Sequence, residues 1–265
     1  MVMVTGILTN AYTFCFLFAI VTGLLLTEFY GLMNEHEGVD VNVTVSTAAG
    51  VLLFLGVFLC VALPGRIFGR HGAVMLSPYL LSLLYLSVSE LYRSQGRRYR
   101  NWLIAFSGHL YIALPFALLC ITGFYNGYSY SSVFPLAIFV FLWLSDTGAY
   151  CAGSFLSRYV PSKLFPSVSP KKSWIGSVGG GVVALAGSLV FANSHAVLNA
   201  LEWMGLALVC VVFGTYGDLV ESGIKRQMGI KDSGSFLPGH GGALDRFDSS
   251  LVAIPASTIY LFLVL

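Results

Sequence analysis

The sequence predicts an all-α polytopic integral membrane protein. Three observations lead there. Only 10% of the 265 residues are charged and 57% are hydrophobic, whereas a soluble domain is about 25% charged. The mean hydropathy is +0.81. The few charges are also segregated: none falls in 1–27, 41–65, 71–89, 101–145, 173–201, 203–217 or 249–265. So few charges cannot cover the water-facing surface of a soluble globule, and so apolar a chain is not intrinsically disordered. Barrel strands would alternate in polarity over about ten residues. These runs are continuous and rich in Leu, Phe and Val, and a helix crosses the hydrocarbon core in about 20 apolar residues.

Eight spans follow, near 7–27, 45–63, 72–90, 102–122, 132–152, 174–193, 197–217 and 249–265. The 45-residue run 101–145 holds two of them, divided by the turn-forming stretch Gly123-Phe124-Tyr125-Asn126-Gly127-Tyr128-Ser129. The last span is short and contains Pro255. Three regions result: spans one to three in 1–100, the fourth span and its turn in 101–131, and a C-terminal catalytic region in 132–265.

Orientation follows from Lys and Arg. Arg93, Arg97, Arg98 and Arg100 follow span three. Arg158, Lys163, Lys171 and Lys172 follow span five, and Lys225, Arg226, Lys231 and Arg246 follow span seven. These are all but Arg66 and Arg70 of the 14 basic residues, and they sit in loops of one parity, which are therefore expected to face the cytosol. The five cysteines lie in or beside apolar spans without a CxxC, and read as small hydrophobes. In the first half Glu28 and Glu90 read as interfacial charges at span ends.

Polar chemistry collects in the second half. Asp146 lies inside an apolar span, at a cost of about 2.5–3.5 kcal/mol on insertion scales, which points to a functional role. Ser169-Pro170-Lys171-Lys172-Ser173-Trp174 reads as paired lysines and a hydroxyl at a helix N-terminus, an arrangement that suits phosphate, although a positive-inside anchor explains it equally well. Residues 217–248 then carry nine of the 26 charged residues. Asp218, Glu221 and Lys225 share a face if helical, and so do Asp245 and Asp248. Paired acids at a span end suit Mg²⁺, which takes one or two carboxylates plus substrate phosphates. Pro238-Gly239-His240-Gly241-Gly242 allows close backbone approach to a ligand. His240 reads equally as a phosphate donor, a general acid/base or a loop-ordering group.

The run Ser222-x-Ile224-Lys225-Arg226-x4-Lys231-Asp232-x-Gly234-x2-Leu237-Pro238-x-His240-Gly241-Gly242-x2-Asp245-Arg246-Phe247-Asp248 resembles the signature of the phosphatidate cytidylyltransferases, or CDP-diacylglycerol synthases. Trp143-x2-Asp146-x2-Ala149-Tyr150 and the Ser169–Trp174 segment are similar to that family in the same order, and Glu28-Phe29-Tyr30 carries a weaker likeness. Ile175 stands where many members have Glu. The resemblance implies a Mg²⁺-dependent reaction of CTP with phosphatidic acid, giving CDP-diacylglycerol and pyrophosphate at the cytosolic side of a bacterial inner membrane. It leaves a second, monovalent cation and a homodimer open, and implies no nucleic-acid partner.

On this reading Asp218, Lys225, Arg226, Lys231, His240, Asp245 and Arg246 are catalytic. Ser169, Lys171, Lys172, Ser173, Lys225, Arg226 and Lys231 bind substrate phosphates. Asp146, Asp218, Asp245 and Asp248 hold metal. A kinase moving the CTP γ-phosphate to a lipid alcohol is the alternative. An ion-coupled transporter fits poorly, because it predicts inverted repeats and the acids lie in one half. The family likeness and the unexplained export of the first residues also lead us to expect one further helix upstream, with residues 1–10 its loosely anchored remnant.

Overall fold

The computed structural model describes residues 1–63, 70–92, 98–127, 129–156, 162–234 and 241–265, with backbone alone at 70, 71 and 73. Arg66, Arg93, Arg97, Arg158, Leu237, Pro238 and His240 lie outside the described residues. The chain forms two compact units, one of residues 1–132 with 232–244, the other of 133–231 with 245–265. The segment 232–244, assigned from sequence to the C-terminal region, thus groups with the first unit.

In the first unit α1 (Val2–Thr9) and α2 (Ala11–His36) are separated at Asn10. The backbone of Asn10 is extended, and its side chain accepts from the N–H groups of Tyr12 and Thr13 while Thr13 caps back. That capping box starts a new helix where the sequence suggested one continuous span. Residues 2–9 are anchored rather than loose, for Ile7 is fully buried and its carbonyl accepts from the Tyr130 hydroxyl at 2.7 Å. α2 then runs nine residues past the expected span end, to a C-terminus closed by Gly38 at φ 60°.

α3 (Val43–Ala62) follows, then α4 (Arg70–Ser89) with a 3-10 turn at Glu90–Tyr92. The fourth span is α5 (Arg98–Gly108) and α6 (Leu114–Gly123), joined without a break by a π-turn at His109–Ala113. Pro115 has no N–H to give, and its ring crowds the preceding turn, so the ladder widens there to the i→i+5 bond from the Leu114 N–H to the His109 carbonyl. Phe14, Phe18, Phe116 and Tyr130 pack ring against ring in this unit. Glu90 is not an interfacial charge: it is 6% exposed and accepts from Asn101 Nδ2 at 3.0 Å.

The second unit contains α7 (Val133–Leu156), α8 (Trp174–Ser194), α9 (Ala200–Gln227) and α10 (Asp248–Val264). Trp203 is fully buried against Phe134, Phe141 and Phe191. The two strands among the described residues form a hairpin of β1 (Lys163–Phe165) and β2 (Ser169–Ser173), antiparallel, pairing Lys163 with Ser173 and Phe165 with Ser169.

Among the described residues seven helical spans are long and apolar enough to cross a membrane, and α10, at 17 residues, is the shorter eighth. The fold class read from sequence therefore stands.

Candidate active site

Close packing of α7 on α8 sets the floor of the site. A Cβ on Gly180 would lie 2.5 Å from the Ser145 carbonyl oxygen, so only glycine lets the two backbones approach here. Asp146 follows Ser145 at this contact. The start of α8 is fixed by Ser173, whose Oγ accepts from the Gly176 N–H at 3.2 Å. Lys171 and Lys172 therefore lie in strand β2 before the cap, not in the first helical turn as the sequence suggested. Pro170 is likewise a strand residue. On the other wall, a Cβ at Gly217 would meet the Asp248 carbonyl oxygen at 2.6 Å, so α9 and the start of α10 also touch backbone to backbone.

These contacts bring Asp146, Lys171, Lys172, Ser173, Gly176, Thr215, Asp218 and Ser249 around one cavity of about 510 Å³. Lys172 Nζ lies 2.6 Å from Asp218 Oδ2 and donates to the Thr215 carbonyl at 3.3 Å. Ser222 Oγ donates to the other oxygen, Oδ1, of Asp218 at 3.1 Å. Asp218 is close enough to both Asp146 and Asp248 for the charges to repel, and Lys172 attracts both. The Asp248 carboxylate accepts from the N–H and hydroxyl of Ser249 at 2.5 and 3.2 Å.

A second group sits further along α9. Lys225 Nζ lies 2.5 Å from Asp245 Oδ1 and 3.1 Å from Glu221 Oε1, and the Glu221 side chain is only 2% exposed. Glu221 was read from sequence only as sharing a face with Asp218 and Lys225. Burial with a lysine partner makes it a member of this group, with Lys225 between the two carboxylates. α9 reaches it because the helix continues ten residues past the expected end at 217, closing at Gly229 (φ 73°) with Ile230 N–H on the Lys225 carbonyl. Asp245 and Asp248 do not share one helical face, contrary to expectation. Asp245 sits in the 3-10 turn Leu244–Arg246, and Phe247 at φ −118° interrupts the path before α10 begins at Asp248.

The remaining candidates are scattered. Arg226 is exposed and donates to the Ile230 carbonyl at 3.0 Å, closing the helix end. Lys231 and Arg246 are exposed, and Ser169 lies in β2 away from the cavity lining.

Within the first unit, Glu28 is a residue the sequence reading misplaced. Its carboxylate accepts from the Ala243 N–H at 2.7 Å, the Leu244 N–H at 3.1 Å and the Ser233 hydroxyl. It thus accepts from residues 233, 243 and 244 within the signature segment. Gly242 is required beside it, for a Cβ there would run into both Glu28 and Ser233. The Glu28-Phe29-Tyr30 likeness was the one available signal. Glu28→Ala should orphan two buried N–H groups and cost about 2 kcal/mol. Thermal unfolding of the purified protein checks this, with Glu28→Gln expected to fall between.

The model of the cytidylyltransferase family matches residues 1–264. The chain belongs to that family. Its relatives include a phosphatidate cytidylyltransferase of Staphylococcus aureus strain COL, 41% identical over 141 residues, which is 52% of this chain and 52% of the relative. One of Staphylococcus saprophyticus is 44% identical over 128 residues, 48% of each chain. One of Staphylococcus epidermidis strain RP62A is 42% identical over 141 residues, again 52% of each. The chain thus spans about half the length of the curated relatives it matches.

Carboxylate oxygens are the ligands that a hard divalent cation takes. Asp218 pairs with Lys172 at 2.6 Å and Asp146 lines the same cavity, while Asp248 feels the charges of both Asp218 and Lys172. Among the described residues no three His, Cys, Asp or Glu side chains converge into a preformed cage. Mg²⁺ needs none, because substrate phosphates complete its shell.

Proposed function

We propose that this family member transfers the cytidylyl group of CTP to phosphatidic acid, releasing pyrophosphate and forming CDP-diacylglycerol. The observation that carries the reading is the Lys172–Asp218 pair at 2.6 Å in the wall of a cavity that Asp146 also lines. One wall thus offers both signs of charge, as a site for metal-bound phosphates requires. The names of the staphylococcal relatives support the choice of substrate.

In the reaction an oxygen of the lipid phosphate attacks the α-phosphorus of CTP. The new P–O bond forms as the bond to the β-phosphate oxygen breaks, and pyrophosphate leaves with that electron pair. Such transfers depend on positioning and on neutralising charge. Lys171 and Lys172 meet the phosphate oxygens from β2. Ser222 and Lys172 hold the Asp218 carboxylate in one orientation. Asp218, with Asp146 and Asp248, would hold Mg²⁺, which when bound neutralises the nucleotide phosphates. The site faces the cytosol of a bacterial inner membrane, on the basis of the Lys/Arg bias, and a membrane-embedded cavity suits a substrate bearing two acyl chains.

The test is purified protein in detergent with labelled CTP, phosphatidic acid and Mg²⁺. A lipid-soluble cytidine product with pyrophosphate supports the reading. Release of CDP with phosphate moved to a lipid alcohol would replace it with the kinase.

Lys172→Ala should raise the KM for CTP or phosphatidic acid about tenfold or more, since a charge-assisted contact is lost from ground and transition states alike. Arg100→Ala is the control. Arg100 is 57% exposed and forms only a 3.5 Å surface pair with Glu37, so its removal should leave KM unchanged. Equal effects from both would show that the site is elsewhere.

A further inference from the structure

A second cavity in the second unit has a different character. About 440 Å³ in volume, it lies between α8 and α9 under the β1–β2 hairpin, within the usual ligand-pocket range of about 300–1,000 Å³. Phe165, Trp174 and Tyr216 line one end, and Leu185 and Leu208 mark the other. Trp174 to Leu185 on α8 and Leu219 to Leu208 on α9 are each eleven residues, so the cleft runs roughly 16 Å along both helices. That is the depth of one leaflet, half of a hydrocarbon core of about 30 Å. Indole and phenol rings at one end suit the membrane–water interface.

The cleft adjoins the charged cavity. Ser177 and Thr215 line both. Thr215 is also the residue whose carbonyl accepts from Lys172. The place for an apolar tail nearest to a phosphate at Lys172 is therefore the groove between α8 and α9. Gly181 forms part of the wall, where a Cβ would come no nearer than 3.8 Å to Val211. Its neighbour Gly180 faces α7 and has no such room. The two adjacent glycines thus have different work, one packing helices and the other keeping the cleft open.

We propose that the α8–α9 cleft seats one acyl chain of the lipid substrate while its phosphate lies at Lys172. The proposal rests on the cytidylyltransferase reading above. It makes Gly181 and Val212 specificity-determining residues for chain length.

The experiment compares long-chain phosphatidic acid (dipalmitoyl or dioleoyl) with dihexanoyl phosphatidic acid, using the full chain in detergent micelles. Gly181→Leu fills the cleft without touching α7, and Val212→Trp fills it from α9. In both variants kcat/KM for the long-chain lipid should fall about tenfold, the effect of overfilling a packed site. The dihexanoyl substrate and the KM for CTP should be unaffected. Equal losses for long and short chains, or no loss for either, would overturn the acyl site. No loss for either would mean that bulk lipid covers the cleft, and equal losses that the substitutions disturb the helix pair or a contact with a second copy of this chain. If the unaltered protein makes no lipid-soluble cytidine product from either lipid, the cytidylyltransferase reading itself falls.

Discussion

Asp218→Asn should lower kcat by about 10²–10³-fold, the loss typical of removing one preorganised charged or polar partner from a transition state, while the protein remains folded. Asn matches the shape of Asp, and its carbonyl oxygen can still accept from Ser222, now 3.1 Å from Asp218 Oδ1. What disappears is the negative charge 2.6 Å from Lys172. Lys172 then faces the cavity uncompensated, and the carboxylates left for a divalent cation are Asp146 and Asp248. Turnover measured across a Mg²⁺ titration, with the melting temperature followed in parallel, checks this. Near-normal turnover at saturating Mg²⁺ would remove Asp218 from the metal assignment. Loss of folding together with activity would make its role structural.

The second large effect is on stability. Lys225 is 12% exposed and stands between two carboxylates, Glu221 at 3.1 Å and Asp245 at 2.5 Å. Lys225→Met keeps the length of the side chain and removes its charge. Two partly or fully buried acids are then left without their lysine, and breaking a buried pair from one side costs about 3–5 kcal/mol. Adding Glu221→Gln should recover much of that loss, because the most deeply buried uncompensated charge is gone. Unfolding of the three purified proteins in detergent gives the comparison. A Lys225→Met protein as stable as the parent would mean that the two acids do not depend on Lys225 for compensation.

The two effects differ in kind because the two lysines sit differently. Lys172 opens on the cavity shared by Asp146 and Asp218, so its pairing is available to substrate. Lys225 is enclosed by its own helix and by Asp245, in a group built along α9. From sequence both read as phosphate-binding residues, since in sequence they differ only in position.

Much of the architecture could be read without coordinates. Hydropathy is a local average, so the limits of α8 came within one residue of expectation, and the charge-free runs located seven spans and the short eighth. The signature over 222–248 identified the family by itself, because it depends on residue types at fixed spacing. Helix ends were harder. α9 was cut short because its last ten residues are polar, yet a helix stops where its caps are, at Gly229, and not where its hydropathy falls. The same confusion of membrane boundary with helix boundary put Glu28 at a span end.

Pairings between distant residues were decided by tertiary structure alone. Ser233 is 205 residues from Glu28 in the chain, and no periodicity connects them. Nor does spacing show that Lys172, in a strand, meets Asp218 while Lys225 meets Asp245. Those choices follow from backbones brought into contact at Gly180 and Gly217 and from the carboxylate of Glu28 gathering the N–H groups of 243 and 244. Periodicity and composition report which face of a segment is apolar. Which buried charge finds which partner depends on how closely the segments approach, and that is settled only when the chain packs.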